Sequence, residues 1–281
     1  MELNLIDYVN KEKDVLKHKV EYLKSKGIQP KLNIFTDNKD FASQSYMKSK
    51  INIGSEIGVD VIKTEIKNLS ELMMKTTQSA INNECIILQQ PFQNEKITEL
   101  YKSLKPRNDV DGFFKYQDIS EGTYDMSHCT AHGMFDYILH YFNGDIRNKN
   151  IILIGRGELT NKPLSLMLIN EGATVVIVNS KTSEDFKKTV FKIADCVVCS
   201  TSVKGSVRTS DLSDNKKVLV INCGIVRDTN GKLDTELEID VDKPNVDYTP
   251  RIKGVGQLTT LYLFKNILNY YMQEGDRKSA V

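Results

Sequence analysis

Tyr46 and Lys50 stand four residues apart in the stretch Phe41-Ala-Ser-Gln-Ser-Tyr-Met-Lys-Ser-Lys50. On a helix, positions i and i+4 share a face, so a phenol and an ammonium would project together. An aromatic ring stacks on a flat substrate, and a lysine that can shed its charge moves protons. Taken alone, the pair also suits an ordinary solvated helix. Its company makes it informative: Gln89-Gln-Pro91, Asp109-Val-Asp-Gly112, Gly155-Arg-Gly157 and Gly254-Val-Gly256 follow in that order.

The elements that must position these residues alternate between the two periodicities. Residues 3–26 place Leu5, Val9, Leu16, Val20 and Leu23 amid Lys and Glu and stop at Gly27, an amphipathic helix. Residues 31–35 read as a strand. The Tyr46/Lys50 helix follows and ends near Gly54 to Gly58. A strand over 59–66, a helix over 69–81, a strand over 85–89 and a helix over 95–104 continue the alternation. Residues 109–125 break it as a polar loop and domain junction. A helix over 131–142 leads to a second series: strand 151–154, helix 163–170, strand 174–178, helix 182–193, and strands 195–199 and 218–223. Residues 226–245 are polar and suit loops or a short hairpin around Gly231. The last helix, over 257–273, carries Leu258, Leu261, Phe264, Ile267 and Leu268 on one side and is expected to return to the first domain; residues 275–281 suit a frayed tail. The pattern predicts an α/β protein of two domains, with mainly parallel sheets.

At 281 residues the chain has room for two cores. Its 38 basic and 37 acidic residues nearly cancel, which argues against a nucleic-acid or membrane surface as main partner. Met1 to Asp7 is acidic and lacks the apolar stretch of a secretory signal, and no apolar run approaches spanning length. Five cysteines lack paired spacing, so reduced thiols in a cytoplasmic protein are expected. Cys196 and Cys199 bracket a buried strand, which cannot turn both thiols to one metal. His128, Cys129 and His132 lack a further ligand, so no metal site is expected.

The second series contains a strand, a glycine loop, a helix and a strand within about thirty residues, the layout of a dinucleotide-binding unit. Gly155 permits a tight turn, and Gly157 lets backbone approach a phosphate beside a helix N-terminus. Thr160 stands where a third glycine is usual. After the second strand comes Asn179-Ser-Lys-Thr182 rather than a carboxylate that would accept from a ribose hydroxyl. Arg156, Ser180 and Lys181 suit a 2′-phosphate, which favours NADP with NAD as the alternative.

With these parts in order, the chain resembles the bifunctional methylenetetrahydrofolate dehydrogenase/cyclohydrolase family over nearly its whole length. The family's helix carries Ser-x-x-Tyr-x-x-x-Lys, matched by Ser43, Tyr46 and Lys50. Its Val-Gln-Leu-Pro-Leu-Pro becomes Leu88-Gln-Gln-Pro-Phe-Gln93, its Lys-Asp-Val-Asp-Gly-Phe becomes Asn108-Asp-Val-Asp-Gly-Phe113, and its Pro-Cys-Thr-Pro becomes His128-Cys-Thr-Ala131. Its Gly-Arg-Ser-x-x-Val-Gly-x-Pro lies at 155–163, its His-Ser-x-Thr at 179–182, and its Thr-Pro-x-Pro-Gly-Gly-Val-Gly-Pro-Met-Thr at 249–259. The departures concentrate on the cofactor side. The family serine is Gly157, its later glycine is Asn161, and its Pro-Gly-Gly is Ile252-Lys253-Gly254.

The resemblance implies a folate-binding catalytic domain over 1–125 with the helix 257–281, and an NADP-binding Rossmann domain over 126–256. It implies that Lys50, Tyr46, Gln89 and Asp111 are catalytic, with Gln89 hydrogen-bonding Lys50, Tyr46 stacking on the aminobenzoyl ring and Asp111 accepting from the pterin edge. Ser43 and Lys253 join Tyr46 and Asp111 as substrate-binding residues. Gly224 and Ile225 join Gly155, Arg156, Gly157, Ser180 and Lys181 around the cofactor. Read from the residues alone, Asp109 and Asp111 also suit an Asx-turn pair, and the family alone selects Asp111. Tetrahydrofolate derivatives are the expected partners, and a homodimer formed through the cofactor domain is the expected assembly. Two rivals remain at this level. One is another Rossmann dehydrogenase acting on a hydroxy-acid or shikimate-like substrate; the other is a non-catalytic or single-activity relative.

Overall fold

Pro30, with its fixed φ and missing N–H, leads from the end of the first helix into an extended segment, and the apolar run after it becomes the middle of a sheet. The computed structural model describes residues 1–37, 41–90, 92–112, 126–228 and 230–279. Much of the 109–125 junction, together with Pro91 and Phe113, lies outside the described residues. The chain divides into two compact units: 10–118, 124–129 and 260–281 form one, while 1–9, 119–123 and 130–259 form the other.

In the unit that begins at Asn10, α1 (Ile6–Ser25) ends at Gly27, whose φ of +76° reverses the chain. β1 (Lys31–Thr36) lies between β2 (Asp60–Glu65) and β3 (Cys85–Leu88) in a parallel sheet of order β2-β1-β3. Register pairs Lys31 with Asp60 and Leu32 with Cys85. Every β3 residue is buried, as expected of a strand covered on both faces. Three helices complete the alternation: α2 (Phe41–Ile57), α3 (Leu69–Ile81) and α4 (Glu95–Leu104). Asn68 caps α3 by accepting from Glu71 N–H at 2.9 Å, while the Glu71 carboxylate accepts from Lys67 N–H at 2.9 Å. The Asp37 carboxylate accepts from Gln93 and Asn94 N–H, both at 2.8 Å, and so fixes the entry to α4.

The other unit holds a five-stranded parallel sheet. α5 (Cys129–Tyr141) leads into β4 (Asn150–Ile154), followed by α6 (Asn161–Asn170), β5 (Thr174–Val178), α7 (Glu184–Ile193) and β6 (Cys196–Cys199). Short β7 (Val207–Arg208) precedes β8 (Val218–Asn222), and then come β9 (Val226–Arg227), β10 (Leu233–Asp234), β11 (Leu237–Glu238) and β12 (Val246–Tyr248). The sheet order is β12-β8-β6-β4-β5, with β9 and β10 forming an antiparallel hairpin whose turn contains Gly231. Leu3 N–H donates to the Tyr248 carbonyl at 2.9 Å, so the chain start is tied to this sheet.

The last helix, α8 (Val255–Ser279), runs beyond the expected end near Gln273. A single glycine costs a helix only about 1 kcal/mol, so Gly275 does not stop it without a proline behind it. From Thr260 onward α8 belongs to the first sheet's unit, as the apolar spacing suggested. There Lys265 Nζ lies 2.7 Å from Glu12 Oε2, and the Tyr271 hydroxyl accepts from Lys31 N–H at 3.0 Å.

α2 is seated by a glycine in its interior. A Cβ on Gly54 would fall 2.3 Å from Val61 Cγ2 and 3.2 Å from the Val59 carbonyl. Val61 is β-branched and stiff, so relief requires moving the helix. Gly54→Ala is expected to lower stability by about 1–2 kcal/mol despite alanine's better helix propensity, read as a reduced urea midpoint.

Candidate functional site

Helical spacing turns Ser43, Met47 and Lys50 inward from α2, and all three are buried. Tyr46, on the turn before Lys50, remains 44% exposed at the edge of that face. A buried ammonium needs an acceptor. Lys50 Nζ donates to Gln89 Oε1 at 2.8 Å. The other half of the Gln89 amide is committed, because Nε2 donates to the Gln90 carbonyl at 2.8 Å. That bond sets the amide orientation and leaves Oε1 for the lysine. Gln89 N–H in turn donates to the Phe35 carbonyl at 2.8 Å, continuing the β1–β3 ladder one residue past β3. The strand end therefore sets where the lysine points. Burial lowers the Lys50 pKa below its usual 10.5, against the opposing pull of Asp111 and Cys129.

The two aspartates part company. Asp109 is 3% exposed, and its Oδ1 accepts from the Tyr101 hydroxyl at 2.9 Å and from Asp111 N–H at 3.4 Å. It is a core residue that ties the turn to α4. Burial, reinforced by Asp109, pushes the Tyr101 phenol well up. Asp111 is only half-buried, and its charge acts on Lys50. The next residue, Gly112, has φ +75°, and a Cβ there would lie 2.4 Å from the Ser127 carbonyl carbon. Only glycine lets this turn press so closely on 126–128. Cys129 N–H donates to the Asp111 carbonyl at 3.4 Å, and its thiol to the Val110 carbonyl at 3.3 Å. Burial raises the Cys129 thiol well above its ordinary range and lowers His128 to about 4. Lys50, Gln89 and Asp111 are thus brought together within one unit, with Tyr46 and Ser43 on the same helix as the lysine.

The second group forms at the carboxyl ends of β4, β5, β6 and β8. Gly155 has φ +98°, and a Cβ there would approach Thr201 Cγ2 at 3.0 Å. At Gly157 a Cβ would fall 2.4 Å from Thr160 Oγ1. The loop is a tight cradle whose packing against Thr201 and Thr160 leaves no space for a Cβ at either glycine. Arg156, Ser180 and Lys181 are exposed beside it. Asn179 Oδ1 accepts from Lys181 N–H at 2.9 Å, so a local turn fixes the backbone of the second pair. Ile225 is 50% exposed, and its N–H donates to Ser202 Oγ at 3.2 Å.

Glu236 is a residue that sequence reasoning missed. It is fully buried; its carboxylate accepts from Thr201 N–H (2.6 Å), Thr201 Oγ1 (2.7 Å) and Gly224 N–H (2.7 Å). It fixes two loops of the cradle at once. A glutamate in a polar run gives no signal of burial.

Residues 128–275 match the family model described as tetrahydrofolate dehydrogenase/cyclohydrolase, NAD(P)-binding domain. The bifunctional protein FolD of Caldicellulosiruptor saccharolyticus is 32% identical over 270 residues, covering 91% of this chain and 95% of the relative. The chain belongs to the tetrahydrofolate dehydrogenase/cyclohydrolase family. Among solved structures, the bifunctional FolD enzyme of Campylobacter jejuni superposes with a TM-score of 0.83 at 25% identity, over 95% of this chain and 97% of that one. The Trypanosoma brucei enzyme, complexed with NADP and an inhibitor, shares the fold with a TM-score of 0.86 at 23% identity, over 98% of each chain.

Within the family pattern, two departures have visible structural consequences. Asn161, where the family glycine stands, opens α6 fully buried. Its Nδ2 donates to the carbonyls of Ile154 (2.9 Å) and Gly155 (3.1 Å), so a side chain ties the strand end to the helix start. Lys253, also in a glycine position, sits in the left-handed region at φ +62° with an exposed side chain. Gly254 keeps its glycine because a Cβ would meet the Pro250 carbonyl oxygen. Lys253 belongs to the unit of the dinucleotide loop. Left-handed backbone disfavours a residue with a Cβ, so Lys253→Gly is expected to stabilise the fold by about 1 kcal/mol, read as a higher urea midpoint.

Proposed function

We propose that the chain oxidises 5,10-methylenetetrahydrofolate to the methenyl compound with NADP, then hydrolyses that product to 10-formyltetrahydrofolate, with Lys50 as the proton-transfer group. The observation that carries this reading is the buried Lys50 ammonium on Gln89, electrostatically coupled to Asp111.

The residues around the glycine cradle fit a phosphorylated dinucleotide. Gly155 and Gly157 would let the backbone approach the diphosphate, Arg156, Ser180 and Lys181 would pair with a 2′-phosphate, and Gly224 and Ile225 would complete the cofactor contacts. Bound there, NADP supplies the hydride acceptor. The protein's part in that step is register, since the folate nitrogens already push electrons toward the methylene carbon. Hydrolysis asks more of the side chains. Water adds to the methenyl carbon, both of its protons leave the oxygen as the carbonyl forms, one of them reaches the nitrogen whose bond to carbon breaks, and the other goes to solvent. Lys50 takes the first proton as a neutral amine and returns one as an ammonium. Burial favours the neutral form, and a cationic substrate favours it further. The hydrolytic rate is therefore expected to climb with pH through a value below 10.5. Asp111 accepts from the amino and ring N–H edge of the pterin, Tyr46 stacks on the aminobenzoyl ring, and Ser43 adds a polar contact to the substrate. Residues 1–125 with 257–281 serve the folate, and 126–256 serve the cofactor.

Among the described residues no helix is long and apolar enough to cross a membrane. The five free thiols and near-neutral charge suit a cytoplasmic enzyme without a nucleic-acid partner; the family resemblance adds a homodimer formed through the cofactor domain.

Absorbance of the methenyl compound, followed during incubation with methylenetetrahydrofolate and NADP or NAD, tests the reading. Formation and then decay of the band is expected. Nucleotide binding without any methenyl would support the non-catalytic alternative. In Lys50→Ala, hydrolysis is expected to fall about 10²–10⁴-fold with oxidation reduced less; full hydrolytic turnover would remove Lys50 from the mechanism. Arg156→Ala and Lys181→Ala are each expected to raise the KM for NADP about tenfold while leaving that for NAD near its starting value.

A further inference from the structure

The last helix carries one fully buried amide into the first sheet's unit. Asn266 Nδ2 donates to the carbonyls of Val110 and Ser127, each at 2.9 Å, and lies 3.4 Å from Cys129 Sγ. Both oxygens are obligate acceptors, so the NH2 side of the amide must face them. Its Oδ1 is buried with no hydrogen-bond partner among the described residues. Leaving an acceptor buried and unpaired is destabilising, and a leucine at this position would avoid it. The side chain is therefore kept for its donors.

Those donors converge on the turn that bears Asp111. Val110 immediately precedes Asp111, and Val110 N–H is tied to the Ile86 carbonyl of β3 at 3.1 Å. Ser127 belongs to the segment against which Gly112 is pressed, and Cys129, two residues on, bonds the Val110 and Asp111 carbonyls. Asn266 thus bridges the two chain segments on either side of residues 113–125.

We infer that Asn266 is a positioning residue: by holding the Val110 and Ser127 carbonyls together it fixes the Asp111 carboxylate, and so sets recognition of the pteridine edge from the last helix. The inference rests on the reading of Asp111 given above. It separates two parts of one substrate. Contacts to the pteridine depend on the turn; contacts to the aminobenzoyl-glutamate portion do not.

The test compares Asn266→Leu, which keeps the volume and removes the donors, with Asp111→Asn. The KM for methylenetetrahydrofolate, competition by tetrahydrofolate, competition by p-aminobenzoylglutamate and the KM for NADP are measured on each variant. Asn266→Leu is expected to raise the folate KM and weaken tetrahydrofolate about tenfold, with p-aminobenzoylglutamate and NADP within about twofold of wild type. Asn266→Ser, which keeps one donor, is expected to fall between, and it replaces the leucine variant if that fails to fold. Weakening of all ligands alike, or an unchanged folate KM, overturns the inference. If Asp111→Asn loses pteridine affinity and the Asn266 variants do not, the inference alone fails; if Asp111→Asn loses nothing, the reading of Asp111 fails and the inference with it.

Discussion

An ammonium taken out of water must be met by oriented acceptors or give up its proton, and the hydrogen bond from Lys50 to Gln89 answers that requirement here. A water molecule would supply the same bond without direction. Gln89 supplies it from a strand end whose own N–H is anchored on Phe35, with its second amide atom occupied by the Gln90 carbonyl. The lysine is consequently aimed by a sheet rather than by its own flexible stem. Burial lowers its proton affinity while Asp111 and Cys129 raise it. Opposed influences of this kind suit a group that must both take and return a proton.

Both functional clusters use the same construction. A turn whose backbone must approach something closely is held by a buried polar side chain from a distant part of the chain. In the unit that contains Lys50, Gly112 makes the close approach and Asn266 supplies donors to the carbonyls around it. In the dinucleotide unit, Gly155 and Gly224 make the close approaches and Glu236 supplies acceptors to the N–H groups around them. The polarity is reversed because one turn exposes carbonyls inward and the other exposes amides. Each anchor satisfies backbone groups that have left regular structure and would otherwise be buried unpaired.

The alternation of strands and helices, the two parallel sheets and the return of the last helix were legible because each rests on local pattern. Unbroken apolar runs mark strands covered on both faces, and a three-to-four spacing marks a helix with one buried side. The Lys50 group was legible through motif order. Choosing between Asp109 and Asp111 rested on the family motif alone, since identical side chains two residues apart differ only in what lies opposite them. Tyr101 opposite Asp109 makes that residue structural. Nor did the loss of a family glycine at Asn161 reveal its result. The new amide binds two strand-end carbonyls, a partnership between residues six and seven positions apart that only the folded loop creates.

Residue types and spacing by themselves determined the class of fold, the helix face shared by Tyr46 and Lys50, and the family, because periodicity and ordered motifs are properties of the chain. Tertiary structure alone decided how deeply Lys50 is buried, which aspartate stays near the surface, and that Asn266 and Glu236 are the anchors. Each of those depends on groups far apart in the chain meeting in a medium from which water is excluded. Desolvation and hydrogen-bond partnership are set by that meeting and leave no local trace in the sequence.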